Sequence, residues 1–189
     1  MTSQKIEAKP AIFLDRDGVI IEDVGYPINP SDLKLMKGAA EAIACFQEMG
    51  YWVFIISNQS GIARGYFGVD DVKDFNKLLE IELLNKNSKA SIDAFFFCPH
   101  HPSGSVVEFS IKCHCRKPAT GLVKEALANF SVAATGNYFV GDRDSDIACG
   151  RAMGFATMQI LGSTHHRVDS ADFYAQSLLE LVDVIRSKE

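Results

Sequence analysis

The sequence lacks the features that mark several large classes of protein. No apolar run approaches the roughly 20 residues that a membrane-spanning helix needs. The first ten residues contain no apolar segment of the kind found in secretory signals. The 19 Lys and Arg residues are outnumbered by 24 Asp and Glu, so nucleic acids and anionic membranes are not the expected partners. We therefore expect a cytoplasmic protein.

Cysteine is also scarce. The chain has five cysteines, and an odd number in a reducing compartment argues against a framework of disulfides. A chain of 189 residues does not need one, because it can bury about 70% of the surface that it exposes when unfolded. There is no internal repeat, low-complexity tract or linker. We predict a single domain over residues 1–189, with residues 1–9 as a loose tail, and a monomer.

What the sequence does contain is an alternation of short apolar runs and longer amphipathic segments. The predicted strands cover residues 11–15, 51–57, 93–98, 137–142 and 155–160. The predicted helices cover residues 38–50, 70–85 with Asp70 as the cap, 120–130, 145–154 and 173–187. Strands that are apolar on both faces predict a parallel sheet covered by helices, a Rossmann-like three-layer α/β/α fold. In such sheets ligands bind at the carboxyl ends of the strands.

Polar clusters follow the predicted strands at this edge of the sheet. "DRDG" begins at Asp15 at the end of the first strand, and "SNQSG" begins at Ser57 at the end of the second. "GDRDSD" begins at Gly141 at the end of the fourth. Asp15, Asp17 and Asp142 could converge on one hard cation, and oxygen ligands suit Mg²⁺. The sequence therefore predicts a magnesium site.

These clusters contain the groups that phosphoryl transfer needs. A carboxylate beside Mg²⁺ can attack phosphorus, and a second carboxyl two residues on can protonate the leaving oxygen and then activate water. Ser57, Asn58 and Lys117 would supply donors and positive charge to the phosphoryl oxygens. Each motif alone is also typical of a turn, a helix cap or a solvated lysine. Their combination and order favour chemistry.

The stretch "CPHHPSGSVVEFSIKCHCRKP", residues 98–118, indicates a second metal site. Its paired ligands, Cys98 with His100 and Cys113 with Cys115, would fit a tetrahedral structural Zn²⁺. The spacing is not that of a C-x2-C knuckle, and unliganded reduced thiols are the alternative. His101 and His114 stay open as rival ligands. A zinc clip would explain how so long a loop is ordered.

The remaining cysteines and histidines receive no chemical role. Cys45 and Cys149 fall within predicted helices and are expected to be small core residues. His165 and His166 lie in a late loop.

Four stretches, "FLDRDGVI", "IISNQSGIARG", "CRKP" and "FVGDRDSD", resemble the four motifs of the haloacid dehalogenase (HAD) superfamily of phosphatases, in the same order. The resemblance covers about residues 11–161 and implies a Rossmann-like fold. It implies that Asp15 is the nucleophile, that Asp17 is the general acid and base, and that Ser57 and Lys117 hold the phosphoryl group.

The same resemblance implies the ligands of the magnesium ion. They are Asp15, Asp142 and the backbone carbonyl of Asp17, with Asp146 in a supporting role. No large cap domain is visible between the motifs.

"GIARGYF", "CPHHPSGSVVEF" and "CHCRKP" resemble more closely the D,D-heptose 1,7-bisphosphate 7-phosphatases, cytosolic enzymes of bacterial ADP-heptose synthesis. The resemblance selects His100 as the zinc ligand, makes His114 a spacer, and places the zinc-binding loop beside the active site. It implies substrate contacts from Asp23, Val24, Gly25, Tyr26, Ser57, Asn58, Gln59, Ser60, Arg116, Lys117 and Arg143.

Two residues depart from that family's pattern. Ser57 stands where threonine is expected, which keeps the hydroxyl. Arg143 stands where lysine is common, which keeps the charge but changes the geometry. Both could shift the preference between sugars or anomers.

Four other functions share part of this sequence pattern. A histidinol-phosphate phosphatase shares the motifs and the zinc clip, but its zinc loop is shorter and lacks "HPSGSVVEF". A phosphatase for another small sugar phosphate is a broader alternative. A non-catalytic zinc-stabilised binding module would not need the four motifs, and a phosphotransferase or mutase usually needs a cap to exclude water. The sequence favours a Mg²⁺-dependent phosphatase that removes the 7-phosphate of heptose 1,7-bisphosphate through an aspartyl-phosphate, as a step towards lipopolysaccharide or another heptose-containing product, with the anomer left open.

Overall fold

The centre of the molecule is a parallel sheet of six strands in the order β3-β2-β1-β4-β5-β6. The structure, a computed structural model, describes residues 8–162 and 165–188. The strands are β1 Ala11–Leu14, β2 Trp52–Asn58, β3 Ala94–Cys98, β4 Tyr138–Gly141, β5 Ala156–Ile160 and β6 Phe173–Ala175. The chain builds outward from β1 to β3, then returns to β4 on the other side of β1. Such a switch point opens a crevice at the carboxyl ends of β1 and β4.

Within the described residues, five α-helices cover the two faces of the sheet. They are α1 Ala39–Glu48, α2 Val69–Lys86, α3 Gly121–Asn129, α4 Asp144–Ala152 and α5 Leu178–Arg186. The side chains of β1 alternate between two apolar cores, because successive strand residues point to opposite faces. Ile12 and Leu14 pack with α1, α2 and α5, whereas Ala11 and Phe13 pack with α3 and α4. The predicted three-layer α/β/α fold is confirmed.

Two details of the predicted elements are wrong. The closing helix does not begin at residue 173, because Phe173–Ala175 pair with β5 as an edge strand and α5 begins only at Leu178. The N-cap of α2 is Gly68 rather than Asp70. The Gly68 N–H donates to the Asp71 carboxylate at 2.7 Å, which satisfies one of the free donors at the helix start.

The two long connections contain little regular secondary structure. Among the described residues, the segment between β1 and α1 contains one 3-10 turn, Pro30–Asp32, and the segment between β3 and α3 contains another, Val107–Phe109, so neither holds a cap domain. In the part of the chain that the structure describes, no helix is both long and apolar enough to cross a membrane.

Most of the predicted loose tail, residues 1–7, lies outside the described residues. Lys9 is described, and its backbone is held on both sides. Its N–H donates to Ser131 O at 3.0 Å, and its carbonyl accepts from the Ala133 N–H at 2.8 Å.

Candidate active site

A cleft of about 370 Å³ opens at the carboxyl ends of the central strands, as the strand order requires. Most of the residues predicted to contact substrate line it: Asp15, Asp17, Asp23, Gly25, Tyr26, Asn58, Gln59, Ser60, Arg116, Lys117 and Arg143. Ser145 and Asp146 line it as well. Three predicted residues are not in its wall: Ser57 and Asp142 are buried, whereas Val24 is 53% exposed.

Lys117 is held between two carboxylates at the floor of the cleft. Its Nζ lies 2.8 Å from Asp15 Oδ1 and 2.7 Å from Asp146 Oδ1, and it donates to the Ile56 carbonyl at 2.6 Å. Burial opposes the charged form of the lysine, but Asp146 and then Asp15 outweigh it and raise the pKa of Lys117. The pKa of Asp15 is raised by its burial, with Lys117 opposing the shift. Lys117 therefore stays protonated.

Asn58, the last residue of β2, fixes the backbone at Lys117. The Asn58 side chain accepts from the Lys117 N–H at 3.0 Å and donates to the Lys117 carbonyl at 3.1 Å. These paired bonds join residues 59 positions apart in the chain. They bring the lysine from the end of the predicted zinc-binding loop to the strand edge.

The carboxyl of Asp17 is held by two neighbours. Arg16 Nε donates to Asp17 Oδ1 at 2.7 Å, and Gln59 Nε2 donates to Asp17 Oδ2 at 3.1 Å. The same Gln59 amide donates to Ser57 Oγ at 2.6 Å. Burial raises the pKa of Asp17 and Arg16 opposes the shift. A raised carboxyl pKa suits a group that delivers a proton near neutral pH.

Three carboxylates form a site that fits a hard divalent cation. Oxygens of Asp15, Asp142 and Asp146 lie within 4.8 Å of one another. Asp142 Oδ1 is buried and accepts no hydrogen bond from the residues that the structure describes. Burial, then the charges of Asp15 and Asp146, raise the pKa of Asp142 to about 7. Carboxylate oxygens are the ligands that Mg²⁺ prefers. The negative charge of these three side chains is not balanced by the hydrogen bonds around them, so a cation would stabilise the cluster.

Gly18 lets the loop after β1 approach this site. Its φ is +83°, and a Cβ on it would lie 2.4 Å from Asp142 Oδ2. A side chain there would displace Asp142, so both the positive φ and the lack of space require glycine at this position of the "DRDG" motif.

His165, to which the sequence assigned no role, lies at this site. Its Nε2 is 3.2 Å from Asp142 Oδ2, and it groups with Asp142 and Asp23 within 4.8 Å. His166 lies further out, 3.2 Å from the exposed Asp144. His165 could have been found from its position, because the loop after β5 opens at the same edge of the sheet as the motifs.

Two arginines lie at the rim of the cleft. Arg143 pairs with Asp23 across it, at 2.5 Å between Nη2 and Oδ2. Arg116 Nη1 donates to the His100 carbonyl at 3.4 Å. Both guanidiniums are near enough to the opening to meet an anionic group, since both line the cleft.

The four predicted zinc ligands come together. The sulfurs of Cys98, Cys113 and Cys115 are 3.1–3.5 Å apart, and His100 Nδ1 is 3.3 Å from Cys115 Sγ and 3.6 Å from Cys98 Sγ. These separations exceed the roughly 2.05 Å of a disulfide and approach the edges of a tetrahedron around Zn²⁺. His101 is directed elsewhere, since its Nδ1 accepts from the Ser103 N–H at 3.1 Å.

The zinc-binding loop packs against the loop after β2. The Ser105 and Val106 N–H groups donate to the Ala63 carbonyl at 2.8 and 2.9 Å, and Ser105 Oγ donates to the Arg64 carbonyl at 2.9 Å. A Cβ on Gly104 would lie 2.5 Å from the Ala63 carbonyl. The loop is therefore in close backbone contact with the segment after β2, and it lines the cleft through Arg116 and Lys117.

The fold and this site define a HAD-type hydrolase. The family model for HAD-hydrolase-like proteins matches residues 114–181. The crystal structure of a HAD-like phosphatase from Mesorhizobium loti is similar with a TM-score of 0.82, at 30% identity over 95% of this chain and 87% of that one. That of the D,D-heptose 1,7-bisphosphate phosphatase from B. bronchiseptica, complexed with magnesium and phosphate, shares the fold with a TM-score of 0.79, at 24% identity over 95% and 99% of the two chains.

Comparison with curated relatives shows to which family of HAD-type hydrolases the chain belongs. The D-glycero-β-D-manno-heptose-1,7-bisphosphate 7-phosphatase of Yersinia pestis is 33% identical over 96% of this chain and 98% of its own. The enzyme of that name from Rhodopseudomonas palustris is 36% identical over 92% of each chain. The chain belongs to this family of heptose-bisphosphate phosphatases, and the resemblance found in the sequence is confirmed.

Proposed function

We propose that the protein is a Mg²⁺-dependent phosphatase that converts D-glycero-β-D-manno-heptose 1,7-bisphosphate to the 1-phosphate by removing the 7-phosphate. The observation that carries the proposal is Lys117 bound to Asp15 at the floor of a cleft with two arginines at its rim. Family membership supports the substrate, and the names of the relatives support the β anomer.

Asp15 is the nucleophile. Its Oδ1 accepts from Lys117 Nζ and from the Arg16 N–H, both at 2.8 Å, so we assign the attack to Oδ2. Oδ2 forms a bond to phosphorus while the bond between phosphorus and the sugar O7 breaks. The displaced oxygen takes a proton from Asp17, which leaves the free sugar alcohol and an aspartyl-phosphate.

The second half of the reaction regenerates the enzyme. Asp17, now ionised, takes a proton from a water that attacks phosphorus. The bond between phosphorus and Asp15 Oδ2 breaks, which releases inorganic phosphate. A magnesium ion held by Asp15, Asp142 and the backbone carbonyl of Asp17 would offset the negative charge of the phosphoryl group.

Ser57 and Lys117 bind the transferring phosphoryl group. The Ser57 hydroxyl accepts from Gln59 and so keeps its own hydrogen for a phosphoryl oxygen. Lys117 supplies a buried positive charge that Asp146 holds in place. Asn58, Gln59 and Ser60 complete this end of the cleft.

The other phosphate and the sugar occupy the rim. Arg116 and Arg143 give two guanidiniums that suit the 1-phosphate, since a planar fork matches phosphate oxygens. The segment Asp23–Tyr26 contacts the sugar. Arg143 exchanges its contact with Asp23 for the substrate phosphate.

The zinc ion is structural and holds the loop of residues 98–118 beside the cleft. Three cysteine sulfurs and one imidazole leave no open position for a substrate. We place the protein in the cytoplasm, where free thiols persist, and infer that it is a monomeric single domain of net charge −5.

The test is Mg²⁺-dependent phosphate release from the α and β anomers of the heptose 1,7-bisphosphate, with histidinol phosphate and fructose 1,6-bisphosphate alongside. We expect the β anomer to exceed the α anomer, histidinol phosphate and fructose 1,6-bisphosphate in kcat/KM by about a hundredfold or more. A higher kcat/KM for the α anomer would overturn only the assigned anomer preference. A lead by histidinol phosphate would overturn the substrate and leave only the reaction class.

A further inference from the structure

Arg16 is a buried charge that the proposed reaction does not use. It lies between Asp15 and Asp17 in the chain and is fully buried, with 0% exposure. A guanidinium in the interior must be paired and hydrogen-bonded, because its desolvation is costly. Arg16 does not line the cleft, so it does not meet the substrate directly.

The guanidinium grips one oxygen of Asp17 more closely than the other. Arg16 Nε donates to Asp17 Oδ1 at 2.7 Å, whereas Nη2 is 3.3 Å from Oδ2. Oδ2 is the oxygen that Gln59 contacts, and Gln59 also contacts Ser57. The Arg16 fork therefore occupies Oδ1 and turns Oδ2 to the side where the phosphoryl group is proposed to bind.

The other edge of the guanidinium is tied to parts of the fold far away in sequence. Nη1 donates to Asn76 Oδ1 in α2 at 3.1 Å, and Nη2 donates to the Pro27 carbonyl at 3.2 Å. The carbon of the guanidinium lies 4.8 Å from the ring centre of Phe75. Because the fork is planar and rigid, these contacts fix the orientation in which it meets Asp17.

We propose, on the basis of the function proposed above, that Arg16 is a positioning residue that holds Asp17 with Oδ2 directed at the leaving oxygen of the phosphate ester. Its contribution depends on the leaving group. A sugar alkoxide needs the proton that Asp17 delivers, whereas a nitrophenolate leaves without one. A residue that acts only through the fold would affect both kinds of substrate alike.

The experiment compares Arg16→Met with Asp17→Asn on the heptose bisphosphate and on p-nitrophenyl phosphate. We expect Arg16→Met to lower kcat on the sugar phosphate by about a hundredfold, within the usual contribution of a general acid. In a single turnover with enzyme in excess, release of nitrophenolate should slow by less than about threefold, because this step needs no proton from Asp17, whereas the later hydrolysis of the aspartyl-phosphate does. The double variant should be no slower on the sugar phosphate than Asp17→Asn, because Arg16 acts through Asp17.

Three further variants keep the result interpretable. Arg16→Lys retains the charge without the fork and should recover only part of the loss. Asn76→Ala removes a support of the guanidinium but keeps both contacts to Asp17, and it should show a smaller loss with the same substrate bias. Arg151→Met removes an arginine on the far side of α4, bound to the Ser170 carbonyl, and should change neither rate.

Equal losses on both substrates in Arg16→Lys and Asn76→Ala would overturn the proposal, and so would a double variant slower than Asp17→Asn. Should Arg16→Met fail to fold, those two variants decide the matter. If the wild type prefers a different alkyl phosphate, the proposed substrate fails, but the same comparison between that ester and p-nitrophenyl phosphate still tests Arg16.

Discussion

One ammonium group faces an excess of carboxylates at the centre of the cleft. Lys117 Nζ is within 2.8 Å of both Asp15 and Asp146, and Asp142 adds a third carboxylate to the same small volume. A phosphate ester is itself anionic, and like charges repel strongly where water is excluded. Substrate can therefore approach Asp15 only if a further cation is bound, which is the physical reason for the magnesium dependence.

At Asp15 the expected outcome of Asp15→Asn is the loss of turnover by at least about 10³-fold, because an amide cannot attack phosphorus. The fold should remain, since the amide has the shape of the carboxylate and Lys117 keeps its contact with Asp146. Phosphate release and circular dichroism would check both statements.

The matched control for that experiment is Asp74→Asn, which removes an exposed carboxylate whose partner is Lys77 on the surface of α2. It should leave the rate unchanged. A rate for Asp15→Asn within about tenfold of the wild type would contradict its assignment as nucleophile.

Asp142 should make the magnesium-free protein less stable at high pH. Its folded-state pKa of about 7 lies above its ordinary value of 3.8, so between these values the folded state binds a proton that the unfolded state has lost. Stability from this group is therefore present at low pH and is lost as pH rises through about 7. In Mg²⁺-free buffer that leaves zinc bound, Asp142→Asn should raise Tm at pH 8 by about 2–8 °C and by clearly less at pH 5.

Magnesium should reverse this difference. It should stabilise the wild type at pH 8 and leave Asp142→Asn nearly unaffected, because ligand binding stabilises only the state that holds the ligand. Thermal melts with and without the ion would measure both effects. A lower Tm for Asp142→Asn at pH 8 without Mg²⁺ would show that Asp142 is not a destabilising charge.

At the scale of elements, two sets of hydrogen bonds hold the zinc-binding loop beside the cleft. In the first, the carbonyl of the predicted zinc ligand His100 accepts from Nη1 of Arg116, which lines the cleft. In the second, the Ala63 carbonyl accepts from two N–H groups of the loop. Loss of the metal would weaken both sets at once.

Cys113→Ser should therefore lose the zinc and lower Tm, because three remaining ligands do not close a tetrahedral site. We expect the zinc content to fall from about one ion per chain to a small fraction, with a stability loss on the order of 2–4 kcal/mol. Elemental analysis and thermal melts would measure these two quantities.

Cys45→Ser is the control, because Cys45 lies in α1, outside the cluster. It should keep the zinc. If Cys113→Ser retained the wild-type zinc content, the clip would be wrong.

The elements and motifs that could be predicted from the sequence are those with a local signal. Asp15 and Asp142 directly follow apolar strands, Asp17 lies two residues after Asp15, and the parallel sheet brings those strand ends together. The strand β6 has no such signal, since its three residues run almost directly into an amphipathic helix.

Contacts between distant parts of the chain could not be predicted in the same way. Arg16 and Asn76 are 60 residues apart, and nothing in either local sequence specifies their hydrogen bond. The position of His165 after β5 places it at the right edge of the sheet, but neither its contact with Asp142 nor the ion pair of Asp146 with Lys117 follows from spacing. Long-range side-chain geometry is the part that required the structure.

At the scale of the whole molecule, the two metal sites lie in different parts of one sheet. The carboxylates follow the central strands β1 and β4, whereas the cysteine cluster begins at the end of β3, an edge strand. Beyond the switch point, β4, β5 and β6 pair with one another, and among the described residues none of them pairs with β3, the strand that leads into the zinc-binding loop. The influence of zinc on stability should therefore be uneven.

Hydrogen exchange with and without a zinc chelator should reveal that unevenness. On removal of zinc, we expect faster exchange in residues 99–112 and in residues 61–66, whose backbones are bonded to each other. The amides of β4 and β5 should keep their protection, because their partners are neighbouring strands and a buried core. Acceleration spread evenly over all strands would mean that zinc supports the global fold, and an unchanged loop would mean that backbone contacts with Ala63 suffice without it. Local acceleration alone would show that the metal orders the loop beside the cleft while the sheet that holds Asp15 and Asp142 folds without it.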